Sequence, residues 1–91
     1  MKLPKKLKIG GHLYTVDTSK ELPGLDGELV KKENTIRICK TLPKNQQDAT
    51  LIHEILHALN AVFNDKEISH MVLDSIAEQL YQVLKDNKLK F

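Results

Sequence analysis

Several features that define common protein classes are scarce in this sequence. Its 91 residues include one cysteine, which excludes an intramolecular disulfide and a cysteine-rich zinc site. No apolar run approaches the ~20 residues of a membrane span, and no apolar stretch of the secretory-signal type follows the basic start. The net charge of +2 and the aromatic content of 4% argue against a nucleic-acid-binding protein. With 41% hydrophobic residues, these absences predict a soluble globular domain of the cytoplasm.

Glycine divides the chain into two unlike halves within one predicted domain, residues 1–91. All 4 glycines lie in residues 1–40, which is the predicted β-sheet half, and residues 41–91 form the predicted two-helix half. Gly10-Gly11 predicts a hairpin turn, because both turn positions require φ > 0. The predicted strands form two hairpins: Lys6–Ile9 with His12–Val16, and Glu28–Lys31 with Thr35–Cys39.

The second half has helical periodicity. The first helix is predicted over Gln46–Val62, with Thr41 as N-cap. Asn64 followed by Glu67 has the spacing of a capping box and predicts a second helix over Lys66–Lys85. The apolar stripe of this second helix is Val72, Leu73, Ile76, Leu80, Val83 and Leu84. The predicted fold is α+β, a small antiparallel sheet of two hairpins followed by two packed helices.

The first helix carries the pattern H-E-x-x-H, as His53-Glu54-Ile55-Leu56-His57. Residues four apart lie one turn apart on the same helical face, so two imidazoles can converge on one zinc ion. Glu54 is rotated by about 100° from His53, which lets its carboxylate reach a metal-bound water without binding the metal. The pattern therefore predicts His53 and His57 as zinc ligands and Glu54 as the general base.

A catalytic zinc site needs a third protein ligand. The extended pattern H-E-x-x-H-x-x-G-x-x-H is excluded, because Asn60 and Phe63 stand where it needs glycine and histidine. The third ligand is therefore expected from the second helix. His70 is preferred because imidazole is the better zinc ligand, and Asp74 is the next candidate, either as ligand or as a group that orients one. The remaining candidates are Glu78 and Glu67.

The stretch Ala49–Ala58 resembles the zincin metallopeptidases. The closer resemblance is to small phage- and prophage-encoded zincin-like proteins with a T-L-x-H-E-x-x-H-A helix, and it extends to Lys8–Val16 and Leu80–Asn87. The chain is more distantly similar to ImmA/IrrE-type peptidases, in which a glutamate on a later helix completes the zinc site. In glutamate zincins that glutamate is often the first residue of an E-x-x-x-D pattern. His70 and Asp74 have the same spacing, with histidine in place of the glutamate. The resemblance implies a minimal zincin-like fold and a peptidase role.

Three further features have competing interpretations. Tyr81 is either an oxyanion donor or, as we favour, a surface residue. Cys39 is either a fourth ligand or, as we favour, a free thiol. The resemblance also implies that Thr35–Lys40 is the edge strand that aligns a peptide substrate.

Two functions follow from these features. The preferred one is a zinc-dependent metallopeptidase that acts on a peptide or protein substrate. The alternative is a non-catalytic zinc-binding domain that binds a partner in a phage or prophage context. No nucleic acid and no membrane are expected as partners.

Overall fold

A computed structural model describes residues 3–63 and 69–87. The strands are β1 (Lys6–Ile9), β2 (His12–Asp17), β3 (Gly27–Val30) and β4 (Thr35–Ile38), and the helices are α1 (Lys44–Phe63) and α2 (His70–Asp86). This arrangement confirms the predicted α+β fold, a four-stranded sheet followed by two helices.

Both predicted hairpins are present. Gly10 and Gly11 join β1 to β2 with φ of 60° and 81°, the left-handed conformation that a two-residue turn requires. A short 3-10 helix over Lys31–Glu33 joins β3 to β4, and Asn34 follows it with φ of 47°. Asparagine tolerates this conformation better than most residues.

The sheet is mixed, which corrects the prediction of an antiparallel sheet. The strand order is β1-β2-β4-β3, with antiparallel pairing inside each hairpin and parallel pairing between β2 and β4. The central position of β4 follows from its side chains, since Ile36 and Ile38 are fully buried. The expectation that Thr35–Lys40 is an edge strand was therefore wrong, because β4 is paired on both sides and the edge strands are β1 and β3.

One face of the sheet packs against α1. Its inward side chains, together with two residues of α1, form the core: Ile9, Tyr14, Val16, Ile36, Ile38, Leu51 and Ala58. The opposite face is polar, and on it Arg37 pairs with Glu28 and Glu33 at 3.1 and 3.3 Å. α2 packs against α1 and forms the outermost layer.

The helix ends differ from the prediction. α1 begins at Lys44, where the Pro43 carbonyl accepts from the Gln47 N–H, so Thr41 is not its N-cap. α2 begins at His70, because Ser69 is extended and its hydroxyl accepts from the Val72 N–H. The predicted cap at Asn64 and Glu67 lies outside the described residues.

The predicted stripe of α2 is only partly buried. Leu73 is buried together with Ala77, whereas Val72, Ile76, Leu80 and Val83 are exposed. The periodicity located the apolar side of this helix correctly. It did not show that this side is wider than the surface that α1 covers.

Candidate metal centre

The two histidines of the H-E-x-x-H motif converge on the surface of α1. Their Nε2 atoms are 3.0 Å apart, and their ring centroids are separated by 4.7 Å. Helical periodicity explains this pairing, since residues four apart share a face. The predicted spacing of His53 and His57 is therefore realised in three dimensions.

α2 brings two further polar residues to this pair. The Oδ1 atom of Asp74 is 3.2 Å from Nε2 of His53, and the His70 ring centroid is 4.8 Å from that of His57. Residues later in α1 therefore face residues earlier in α2, which shows that the helices are antiparallel. The packing thus assembles a polar cluster from two elements that are separate in sequence.

One donor set in the described part of the chain has atoms close enough together to hold a metal ion: His53, His57 and Asp74. Their nearest ligand atoms all lie within 4.8 Å of one another, and His70 is not a member of this set. The geometry thus favours Asp74 as third ligand. The sequence preferred His70, which lies beside the set. The candidate Glu78 is also outside the set, and Glu67 lies outside the described residues.

The atom that Asp74 approaches is informative. A carboxylate that only orients a ligand histidine contacts the ring nitrogen turned away from the metal. Asp74 instead approaches Nε2 of His53, the same nitrogen that faces Nε2 of His57. The carboxylate is therefore on the ligand side of the imidazole.

The donor set offers two imidazoles and a carboxylate, which are ligand types that zinc binds in proteins. If Nε2 of His53 carries a proton and donates it to Asp74, it has no lone pair left for His57. If Nε2 of His53 carries no proton and accepts a hydrogen bond from His57, its lone pair also faces the carboxylate oxygen of Asp74. A cation among the three atoms satisfies all of them, and tetrahedral zinc spaces adjacent ligand atoms roughly 3.3 Å apart. The two separations measured from Nε2 of His53, 3.0 and 3.2 Å, are close to that spacing, whereas the three ligand atoms as a set lie within a wider limit of 4.8 Å.

Glu54 lies beneath this cluster. Its side chain is 9% exposed, and its Oε2 atom is 3.9 Å from Nε2 of His53. Burial, together with the nearby charges of Asp74 and Glu28, raises the pKa of Glu54 to about 7. A carboxyl group with a pKa near neutrality can both accept and release a proton at physiological pH.

The electrostatics of His57 also suit a metal ligand. Burial lowers its pKa, and the neighbouring His53 and His70 act in the same direction. A lowered pKa keeps the imidazole neutral, with a lone pair available for coordination. The cluster is also open to solvent, because the Asp74 side chain is 55% exposed. This exposure makes the cluster accessible to water and small ligands.

Sequence reasoning missed Gly27, which sets the distance between β3 and α1. A Cβ atom at this position would lie 2.6 Å from Cγ2 of Thr50, 2.9 Å from the Arg37 carbonyl oxygen and 3.5 Å from Cγ of Glu54. Glycine therefore permits the close approach that buries Glu54. The available signal was a glycine immediately before the predicted strand Glu28–Lys31.

The other predicted residues lie apart from the cluster. Sγ of Cys39 is 3.2 Å from Oγ1 of Thr41 and accepts from the Leu22 N–H, and the hydrogen bond with Thr41 is the largest cause of its lowered pKa. Cys39 is thus a buried free thiol outside the metal-binding set. Tyr81 is half-buried, and the Lys85 ammonium lies 5.7 Å from its ring centroid.

No protein-family model, curated protein or solved structure matches this chain. Within residues 3–63 and 69–87, neither helix is long and apolar enough to cross a membrane. The interpretation of the site therefore rests on its own geometry.

Proposed function

We propose that this protein is a zinc-dependent metallopeptidase. The observation that carries the proposal is the convergence of His53, His57 and Asp74 from two helices, with the buried Glu54 carboxyl beside them. A zinc ion bound there lowers the pKa of a coordinated water and polarises a substrate carbonyl. With His53, His57 and Asp74 as its ligands, zinc would keep one position for that water.

Glu54 acts as the proton carrier in this proposal. Its carboxylate accepts a proton from the attacking water and then delivers that proton to the leaving amine. In the metal-free chain, burial raises the pKa of Glu54 to about 7, and the positive charge of a bound zinc ion would favour the carboxylate form that accepts the proton. Burial by the Gly27 contact holds the carboxyl on the side of the cluster nearest the sheet.

The edge strand β3 is the element beside the site that can align an extended peptide. The Cys39 N–H donates to the Asp26 carbonyl, so this pair and every second pair along the β3–β4 ladder exchange hydrogen bonds. The backbone groups of Gly27 and Leu29 therefore point away from β4, toward the open edge. A peptide or protein substrate can pair with these groups as an added strand.

Zinc content and turnover of matched variants test the proposal. The wild type should bind about one zinc per chain, and His57→Ala should lose it while the exposed-residue control His12→Ala keeps it. Glu54→Gln should keep zinc but lose turnover of a peptide library, whereas Glu21→Gln, a charge-matched change at an exposed site, should retain both. Absence of zinc from the wild type, or turnover retained in Glu54→Gln, would refute the mechanism.

The second candidate function is a non-catalytic zinc-binding domain that binds a partner. The observation in its favour is the exposed apolar side of α2. This candidate predicts that the wild type binds zinc, loses stability on chelation and cleaves no peptide in the same library. The peptidase is preferred because the buried Glu54 carboxyl lies 3.9 Å from Nε2 of His53, the position that a general base requires and a structural site does not need.

A further inference from the structure

α2 is attached to the rest of the described chain by a narrow apolar contact. Of its 17 residues, Leu73 and Ala77 are buried, at 5% and 2% exposure, and Tyr81 and Leu84 are half-buried. The element that α2 packs against is α1. The stabilisation from apolar burial scales with the area removed from water, so this contact holds α2 only weakly.

α1 is fixed to the sheet independently of α2. Its Leu51 and Ala58 are 0% exposed and belong to the same core as Ile36 and Ile38 of β4. Within residues 3–63 and 69–87, this core contains no residue of α2. The sheet and α1 therefore form a unit with a core of its own, to which α2 is added as a separate layer.

The metal-binding set is divided between this unit and α2. His53 and His57 are on α1, whereas Asp74 is the member that α2 supplies. Asp74 directly follows the buried Leu73, so its carboxylate lies at the narrow apolar contact. When α2 moves away from α1, the two histidines stay together on one helix and the carboxylate leaves them.

α2 depends on its contact with α1 in order to remain helical. A single helix of this length is marginal in water, because nucleation is unfavourable and tertiary packing supplies most of the stability of helices in proteins. The Ser69 hydroxyl caps its first turn, which supports the helix locally but does not replace packing. Separation of α2 from α1 should therefore open its backbone hydrogen bonds to solvent.

We propose that zinc binding holds α2 docked on α1, and that without zinc α2 opens from α1 while the sheet and α1 stay folded. This proposal rests on the metal site of the proposed function and does not depend on catalysis. It makes α2 a metal-dependent layer, present at the site when the site is loaded. Asp74 connects the two parts of the chain, since it is the ligand that opening removes.

The strength of this effect follows from the reciprocity of linked equilibria. The open chain keeps His53 and His57 but lacks Asp74, so it binds zinc more weakly than the docked chain does. Even outer partners of metal ligands contribute ~10-fold or more to metal affinity, so loss of a ligand weakens binding by at least ~10-fold. Zinc must then favour docking of α2 by the same factor.

Amide hydrogen exchange of the full chain, with excess zinc and with a chelator, tests the proposal. In the chelated wild type, amides of residues 73–80 in α2 should be at least ~10-fold less protected than those of β4, because α2 opens without unfolding of the sheet. Zinc should raise the protection of the α2 amides by at least ~10-fold. These two comparisons use the wild type and require no variant.

Two matched variants test the role of Asp74. Asp74→Asn and Glu78→Gln each remove one negative charge from an exposed position of α2, but Glu78 lies outside the metal-binding set. Zinc should hardly change exchange in α2 of Asp74→Asn, whereas Glu78→Gln should respond as the wild type does. The gain in α2 protection that zinc gives the wild type should be of the same order as the loss of zinc affinity in Asp74→Asn.

The outcomes separate this proposal from the proposed function. Equal protection of α2 and β4 in the chelated wild type would show that the chain opens as one unit and would overturn the proposal. Zinc that binds without slowing exchange in α2 would overturn it too, while leaving the metal site intact. A wild type that binds no zinc would refute both, whereas zinc-dependent docking without peptide turnover would refute the peptidase alone.

Discussion

Replacing Glu54 with glutamine should stabilise the metal-free protein at alkaline pH. The pKa of Glu54 is about 7 in the folded chain, compared with an ordinary value of 4.5, because its ionised form is buried. A raised pKa means that the folded state holds its proton more tightly than the unfolded state does. Stability is then greatest below pH 4.5 and falls as the pH rises through 7. Glutamine is neutral throughout and escapes this loss.

The size of this gain in stability follows from the difference between the folded and the ordinary pKa of Glu54. At about 1.36 kcal/mol per pH unit, the rise from 4.5 to about 7 corresponds to an upper bound near 3 kcal/mol. Part of the carboxyl remains near solvent, so about 2 kcal/mol is the expected gain for Glu54→Gln at pH 8. In a domain of this size, that gain raises Tm by roughly 10 °C.

Urea and thermal unfolding in the presence of a chelator measure this gain. The free energies of unfolding of the wild type and of Glu54→Gln, plotted against pH, should separate between pH 5 and pH 8. They should coincide near pH 4, where Glu54 is protonated in both the folded and the unfolded state. The lowered pKa of His57 also changes stability over part of this range, but it acts on both proteins and cancels in the difference. Equal unfolding of wild type and variant at pH 8 would show that the carboxylate is not desolvated. Glu21→Gln serves as the control for a Glu-to-Gln change at the surface.

Three further predictions concern the ligands, the helix–sheet contact and the core. Asp74→Asn should weaken zinc binding by at least ~10-fold more than His70→Ala in a competition titration with a chromophoric chelator, and the reverse order would assign the third ligand to His70. Gly27→Ala should cost about 1–3 kcal/mol in urea unfolding, because its Cβ meets Thr50 at 2.6 Å; an unchanged free energy of unfolding would show that α1 can move aside. Ile36→Ala should cost about 2–5 kcal/mol in the same assay, since Ile36 is 0% exposed, and a cost below ~1 kcal/mol would contradict its place in the core.

Local chemistry accounts for what the sequence predicted well. The Gly10-Gly11 turn and both helices were expected because turn conformation and helical periodicity depend on residues a few positions apart. The pairing of His53 with His57 is of the same kind, since one helical turn fixes it. Each of these features appears in the structure where the sequence placed it, with helix ends shifted by a few residues.

The parallel pairing of β2 with β4 has a different origin. The hairpin pattern specified which strands are joined by short turns, but it contained nothing about how the two hairpins meet. Their order emerges only in the folded chain, in which β4, with Ile36 and Ile38 at 0% exposure, lies between β2 and β3. The edge beside the site changed from β4 to β3 for this reason.

By itself, then, the sequence determined the α+β fold and the His53, Glu54 and His57 positions on one helix. Only the tertiary structure decided that Asp74 joins the two histidines, that Gly27 lets β3 approach Glu54, and that half of the apolar side of α2 is exposed. The physical reason is that residue spacing fixes contacts within a helix or hairpin. Contacts between elements depend on their relative rotation and distance, which packing of the whole chain sets.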